Sequence, residues 1–462
     1  MATRLRLTPL PIVLLVASFL APTELSLYVA GLRLPPHRIA LLLILPFAMA
    51  RLFQRRGPRL GAADAAVALF TAWSVFALTY HGTGTSGLVF ASSLALECLG
   101  AYLAARAYVR NEQDFRGTLA TLVLAIAIAA LIALPETLLG RHFTHDAMQS
   151  LTGYIHPRAL ERRMGLLRAY GTFDHPIHLG TFAASLAALV WCASPRLSQR
   201  FIGLSVVGAA TLAALSSAPI LCLALQIGLL IYERMTRGLP SRTFLSLAGL
   251  ALAFALISLV ATRSPFALIA TGFTLDPWTG YYRLLIWEYG IAALLANPVL
   301  GIGLAEWERP HWMYSETVDA FWLLIAMRTG FPGIVLMLTA VALAIRTVWR
   351  ASGPRAPRPI QRIARGWIVA LVAMSLAAAT VHLWNVVHTY YFFFLGLAGW
   401  IADPARLGQS AVVRPNAPSD ALSRRRSRWS ESPAAAADAV GCPGRSFRQR
   451  PAATPAVRVS CG

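Results

Sequence analysis

The sequence contains no lysine, so all 41 of its basic residues are arginine. Acidic residues number 20, and charged residues make up only 13% of the 462 positions. A soluble chain carries about a quarter charged residues, which excludes an ordinary soluble globular protein. The five cysteines, Cys98, Cys192, Cys222, Cys442 and Cys461, show no C-x-x-C spacing, so neither a disulfide framework nor a zinc site follows from them. A phosphate-binding G-K-[ST] loop, a G-x-S-x-G elbow and an H-E-x-x-H pair are all missing. His142, His145 and Asp146 stand in an R-H-F-T-H-D cluster, but two histidines three apart in a loop do not make a metal centre.

Apolar sequence is abundant: 57% of residues are hydrophobic and the mean hydropathy is +0.59. Runs of about 20 apolar residues recur, which predicts an all-α polytopic membrane protein. The expected spans are 9–30, 38–53, 62–80, 87–108, 117–139, 174–194, 200–215, 217–233, 243–262, 318–347, 364–382 and 385–402. Arg4 and Arg6 precede the first of them, but no A-x-A cleavage site follows, so it reads as an uncleaved helix. The tenth is long enough to divide at Gly330–Gly333 into a short re-entrant helix and a span. Residues 1–402 thus form a membrane domain of about twelve helices. Residues 403–462, rich in Pro, Ser, Ala and Arg, read as a disordered basic cytoplasmic tail.

The net charge of +21 would suggest nucleic acid in a soluble protein. Here the arginines gather in alternate loops: 51–61, 106–116, the Arg196–Arg200 stretch, the Arg234–Arg242 stretch and 346–365. That alternation orients a chain with both termini cytoplasmic, and no nucleic-acid partner is expected. Two long loops on the opposite side break the pattern. Loop 140–173 holds Arg141, Arg158, Arg162, Arg163 and Arg168; loop 263–317 holds Arg263, Arg283 and Arg309. Arginines that oppose the orientation signal imply an outward-facing cavity for an anionic substrate. Glu97, His382 and His388, in or beside apolar spans, read as buried hydrogen-bonded groups rather than a relay.

Two segments stand out for chemistry. The first is R-A-Y-G-T-F-D-H-P-I-H-L-G from Arg168 to Gly180, which contains His175. The second begins Y-Y-R-L-L-I-W-E-Y-G at Tyr281 and continues through N-P-V-L-G-I-G, V-D-A-F-W and R-T-G-F-P-G. Arg283 and Trp287 are four apart, so a helix places the guanidinium within reach of the indole. Together these segments resemble the O-antigen ligase and polymerase family of bacterial envelope glycan assembly. The shared features are an arginine before G-T-F and a proline, an R-x-x-x-W helix leading to P-x-L-G-x-G, and a terminal G-x-x-G.

The resemblance implies a metal- and cofactor-independent glycosyltransferase at the periplasmic face of the inner membrane. A glycan would leave undecaprenyl diphosphate and join a hydroxyl of an acceptor glycan or lipid. Fixed arginine forks, Arg168 and Arg283, would stabilise the diphosphate leaving group. Trp287, His175, Arg309 and Arg163 are the further substrate-binding candidates. Ligases of the family carry a histidine, often His-Asn, where this chain has Asp319-Ala320. The base is therefore open among Asp319, Glu316 and Glu288, and polymerisation is favoured over ligation to lipid A. Asp319 reads equally well as a helix N-terminal carboxylate. The alternative function is a transporter of a small anion or glycan precursor. A transporter should show two similar halves, and no internal repeat is visible.

Overall fold

A computed structural model describes residues 8–29, 32–54, 57–82, 85–155, 160–236, 238, 277–313 and 316–403. The expected span 243–262, the segment 263–276 and the tail beyond Asp403 lie outside these residues. The structure is mostly helical. Among the described residues, seven helices are long and apolar enough to cross a membrane: Ala62–His81, Gly87–Tyr108, Glu112–Leu139, Pro176–Ala193, Ser217–Met235, Phe321–Ala351 and Arg358–Ala377. This is compatible with a multi-pass membrane protein.

Where the described helices fall short of the expected spans, the cause is local. Helix α1 (Leu10–Leu20) ends before Pro22, and the chain then turns through a hairpin, β1 (Leu27–Val29) against β2 (Leu32–Leu34). Helix α2 (Pro36–Leu52) carries Pro46 in its interior and reaches only 17 residues. The final apolar run forms a helix of only 12 residues, Asn385–Gly396, every residue of which is buried except Asn385. It is a protein-buried core element: Tyr390, Phe393 and Phe394 pack around Phe19, Phe182 and Trp367, Tyr391 against Phe321 and Trp322, and Phe392 on Phe70.

Helix α3 (Ala62–His81) is followed by α4 (Thr85–Ala95) and α5 (Ala101–Tyr108), joined by a π-helical turn at Leu96–Gly100. Helix α6 (Glu112–Leu139) starts on Asn111, whose side chain accepts from the Asp114 N–H at 2.9 Å, and stops at left-handed Gly140. Then come α7 (Phe143–Thr152) and a second hairpin, β3 (Arg162–Arg163) with β4 (Leu166–Leu167). Helices α8 (Pro176–Ala184) and α9 (Ala187–Ala193) form one broken span, followed by α10 (Leu197–Ala213) and α11 (Ser217–Met235). Past the undescribed segment lie α12 (Pro277–Ala296), α13 (Phe321–Ala351), α14 (Arg358–Ala377) and α15, the buried helix Asn385–Gly396.

The two glycine motifs dock on each other. After α12 the chain turns at Gly301 (φ 69°), and the Ile302 N–H donates to the Met327 carbonyl at 2.7 Å. Gly303 N–H reaches the Arg328 carbonyl at 3.2 Å, and Phe331 N–H reaches that of Pro298 at 2.8 Å. Helix α13 breaks at Gly330 (φ 70°, ψ −174°), so the division expected at Gly330–Gly333 falls on that residue. A Cβ at Gly301 would overlap the Met327 carbonyl, and one at Gly330 the Val299 carbonyl. Both conformation and space therefore demand glycine at these positions.

Candidate functional site

The segment from Arg168 to His175 is pinned from several directions. The Glu136 carboxylate, fully buried at the end of α6, accepts the backbone N–H groups of Tyr170 and Gly171 at 3.0 and 2.8 Å. Ala169 N–H donates to the Ala213 carbonyl at 3.0 Å. His145 pairs with Glu24 and reaches the Phe173 carbonyl, while Asp174 accepts from Thr23 Oγ1 and from Asn385 Nδ2. His142, with its Nδ1 3.8 Å from Glu136, packs on the Tyr170 ring. The R-H-F-T-H-D histidines thus brace this turn. Burying carboxylates is costly unless they are bonded, and these bonds fix the Arg168 backbone rigidly.

Arg168 and Arg283 line one cavity of about 710 Å³. Arg168 is 3% exposed and Arg283 8% exposed. Arg168 gives Nη1 to Glu161, but among the described residues its buried Nε and Nη2 have no hydrogen-bond partner, nor has Arg283 Nε. Charged donors left open in this way cost free energy until an acceptor arrives. Asp319, the residue before Ala320 at the start of α13, lines the same cavity and acts on Arg283 electrostatically. Burial pushes the Asp319 carboxyl up from the ordinary aspartate range, while Arg283 and a hydrogen bond from Thr317 oppose the shift. Burial also lowers the proton affinity of Arg283, with Arg168 adding to the effect, yet a guanidinium stays charged.

His175 and Arg163 complete the set of expected residues found here. His175 caps α8: its Nδ1 accepts the Ile177 N–H at 3.1 Å, so the ring proton resides on Nε2 as a donor. Burial, then His178, Arg168 and Arg163, depress its pKa to about 3, so the ring is neutral. Arg163, carried by the second hairpin, donates Nη1 to the Leu215 carbonyl at 3.1 Å. Ser216 and Ser217 at the N-terminus of α11 also line the wall, and the helix dipole there adds positive potential.

Four expected residues do not line this cavity. Glu288 is exposed on α12. The Trp287 indole donates to the Ala379 carbonyl at 3.1 Å, and among the described residues no cation–π contact joins it to Arg283. Arg309 pairs with Glu306 at 2.7 Å and lies 3.6 Å from Glu316, whose side chain is 75% exposed. These charges neutralise one another within their own loop, because neighbours in sequence meet before distant partners do.

The cavity also contains groups to which the sequence reading gave no role there. Arg328, on α13 just before the Gly330 break, lies over the Phe90 ring at 5.2 Å; its guanidinium makes no hydrogen bond or ion pair among the described residues. An arginine inside an apolar span beside a glycine motif was the signal for it. Elsewhere in the lining, Glu97 in the π-helical turn is held by Arg38 at 2.6 Å, His388 at 3.1 Å and His37 at 3.3 Å. Glu97 is therefore the bonded structural group expected, although it, Arg38 and His388 reach the cavity wall. Five arginines (38, 163, 168, 283 and 328) face three carboxylates (97, 161 and 319), leaving two positive charges in excess. The same lining includes the apolar side chains of Phe70, Leu78, Phe90, Leu94, Leu324 and Ile325. Such a site suits a dianion attached to an apolar group. Set beside known families and characterised proteins, the chain matches no family model and no curated protein.

Proposed function

We propose that the protein is a membrane glycosyltransferase that polymerises or ligates a glycan carried on undecaprenyl diphosphate. The observation that carries this reading is the convergence of Arg168 and Arg283, with guanidinium N–H groups unpartnered among the described residues, on one cavity that also has apolar lining. A diphosphate diester is dianionic and would satisfy those donors. The isoprenoid would lie against the apolar lining.

The acceptor hydroxyl attacks the anomeric carbon as the bond from that carbon to the diphosphate oxygen breaks. Charge collects on the departing diphosphate, where the arginine forks and the His175 Nε2–H stabilise it. The hydroxyl proton passes to Asp319, the one expected base that lines the cavity. Incubating purified protein with an isoprenoid-diphosphate saccharide should release isoprenoid diphosphate and lengthen or load the acceptor. The guanidinium groups supply the positive charge, so a chelator should leave the rate unchanged. Absence of any transfer would overturn the reading.

Two predictions follow from the chemistry and orientation. A base must be ionised to accept a proton, so activity falls as pH drops through the Asp319 pKa. Because that pKa is raised, the acid limb should lie above the ordinary aspartate range. Asp319→Asn should abolish the limb together with at least about 99% of turnover. A pH–rate profile of both proteins checks this. The orientation proposed is twelve spans with cytoplasmic termini and with 140–173 and 263–317 at the periplasmic face. Alkaline-phosphatase fusions at Gly153 and Gly280 should be active, and one at Gly353 inactive.

A further inference from the structure

At the end of α9, away from the cavity, three arginines from three helices meet. Arg200 Nε and Arg362 Nη2 both donate to the Ser194 carbonyl, each at 3.1 Å, and Arg116 Nη1 donates to the adjacent Ala193 carbonyl. Two guanidinium groups on one carbonyl oxygen are like charges held side by side. Arg116 and Arg365 also act on Arg362 electrostatically. Nearby carboxylates are already taken: Glu112 pairs with Arg116 at 2.8 Å and Glu233 with Arg365 at 3.0 Å. Among the described residues, Arg200 and Arg362 have no carboxylate partner. Capping a helix C-terminus needs one cation, and this one has gathered three.

The surroundings say what would neutralise the surplus. Arg200 lies over the Trp191 ring at 5.5 Å, and Phe201 packs edge-on to that indole. Leu197, Phe201 and Ile202, in the first turns of α10, are 59%, 57% and 65% exposed. A cationic cluster at helix ends, with an aromatic ring and exposed apolar side chains beside it in sequence, has the composition of a membrane interface. We propose that Arg200 and Arg362, flanked by Arg116, hold the phosphate of an anionic membrane phospholipid, whose acyl chains lie along the exposed start of α10. The guanidinium N–H groups not used on Ser194 would donate to the phosphate oxygens.

The test is lipid retention by the full chain, read by native mass spectrometry after exchange into phosphatidylcholine with or without phosphatidylglycerol. Wild type should retain phosphatidylglycerol preferentially. Arg200→Gln/Arg362→Gln should lower that preference about tenfold or more. Arg346→Gln/Arg350→Gln, on exposed positions of α13, should leave it unchanged. Arg362→Gln alone leaves Arg116 and Arg200 on the helix end; it covers a double variant that fails to fold, and should lose about threefold. Equal losses in the α13 control would show only diffuse attraction of anionic lipid, and would overturn the site. Displacement of the phospholipid by millimolar inorganic phosphate would assign the pocket to a free phosphate ion and overturn the lipid.

Discussion

Arg283→Lys and Arg168→Lys should each lose most transfer activity while keeping normal membrane abundance. Lysine keeps the charge but presents a compact ammonium on a flexible stem, without the planar fork that meets two phosphate oxygens at once. Both arginines are almost wholly buried in the wall of one cavity and hold donors in reserve. Each lost charge-assisted contact, at about 1.5–3 kcal/mol, should slow turnover roughly tenfold to a hundredfold or more. Arg168 carries a second consequence, because its Nη1 also holds Glu161. Its variant should therefore raise KM as well as lower kcat. Steady-state kinetics on purified variants with matched abundance separate the two. Full activity in both lysine variants would remove the basis for diphosphate chemistry and favour the transport reading.

Gly330→Ala should be the most damaging substitution outside the cavity. Its φ of 70° and ψ of −174° lie in a region essentially reserved for glycine, and a Cβ would strike the Val299 carbonyl. Backbone strain costs roughly 1–3 kcal/mol, and the overlap adds to it, so a loss of about 3 kcal/mol or more is expected. Relief of the overlap would force the 298–303 turn away from α13, breaking the bonds of Ile302 and Gly303 to the Met327 and Arg328 carbonyls. Arg328 would move with its backbone, so activity should fall further than stability alone explains. Thermal unfolding in detergent and turnover at a permissive temperature measure the two effects. Wild-type melting in Gly330→Ala would mean that the motifs do not interlock.

Some of this was legible in the sequence because it depends on composition and local pattern. Apolar runs and scarce charge announce helices in lipid, and glycines beside Asn297-Pro298 announce a tight turn. Arginines that oppose the orientation pattern led to Arg168 and Arg283, and the structure places both on one cavity. Other features depend on who meets whom across the fold. Hydropathy cannot tell a helix bathed in lipid from one enclosed by protein, so the aromatic run 385–402 gives no sign in sequence that its helix is buried on nearly every side. Arg309 reads in sequence as a substrate contact and Glu316 as a candidate base, whereas in the fold they lie 3.6 Å apart, with Glu306 also on Arg309, in their own loop. The sequence marks Arg328 only as an arginine inside an apolar span beside a glycine motif. That no carboxylate among the described residues pairs with it is visible only in three dimensions.

The most direct measurement is equilibrium binding of an isoprenoid diphosphate, and of the matching monophosphate, to the purified protein and to Arg168→Lys/Arg283→Lys. Wild type should bind the diphosphate at least about tenfold more tightly than the monophosphate, since the second phosphate meets the second fork. The double variant should lose that preference while still binding the lipid through its apolar lining. Equal affinity for both lipids in the wild type, or an unaltered preference in the double variant, would contradict a diphosphate held between Arg168 and Arg283.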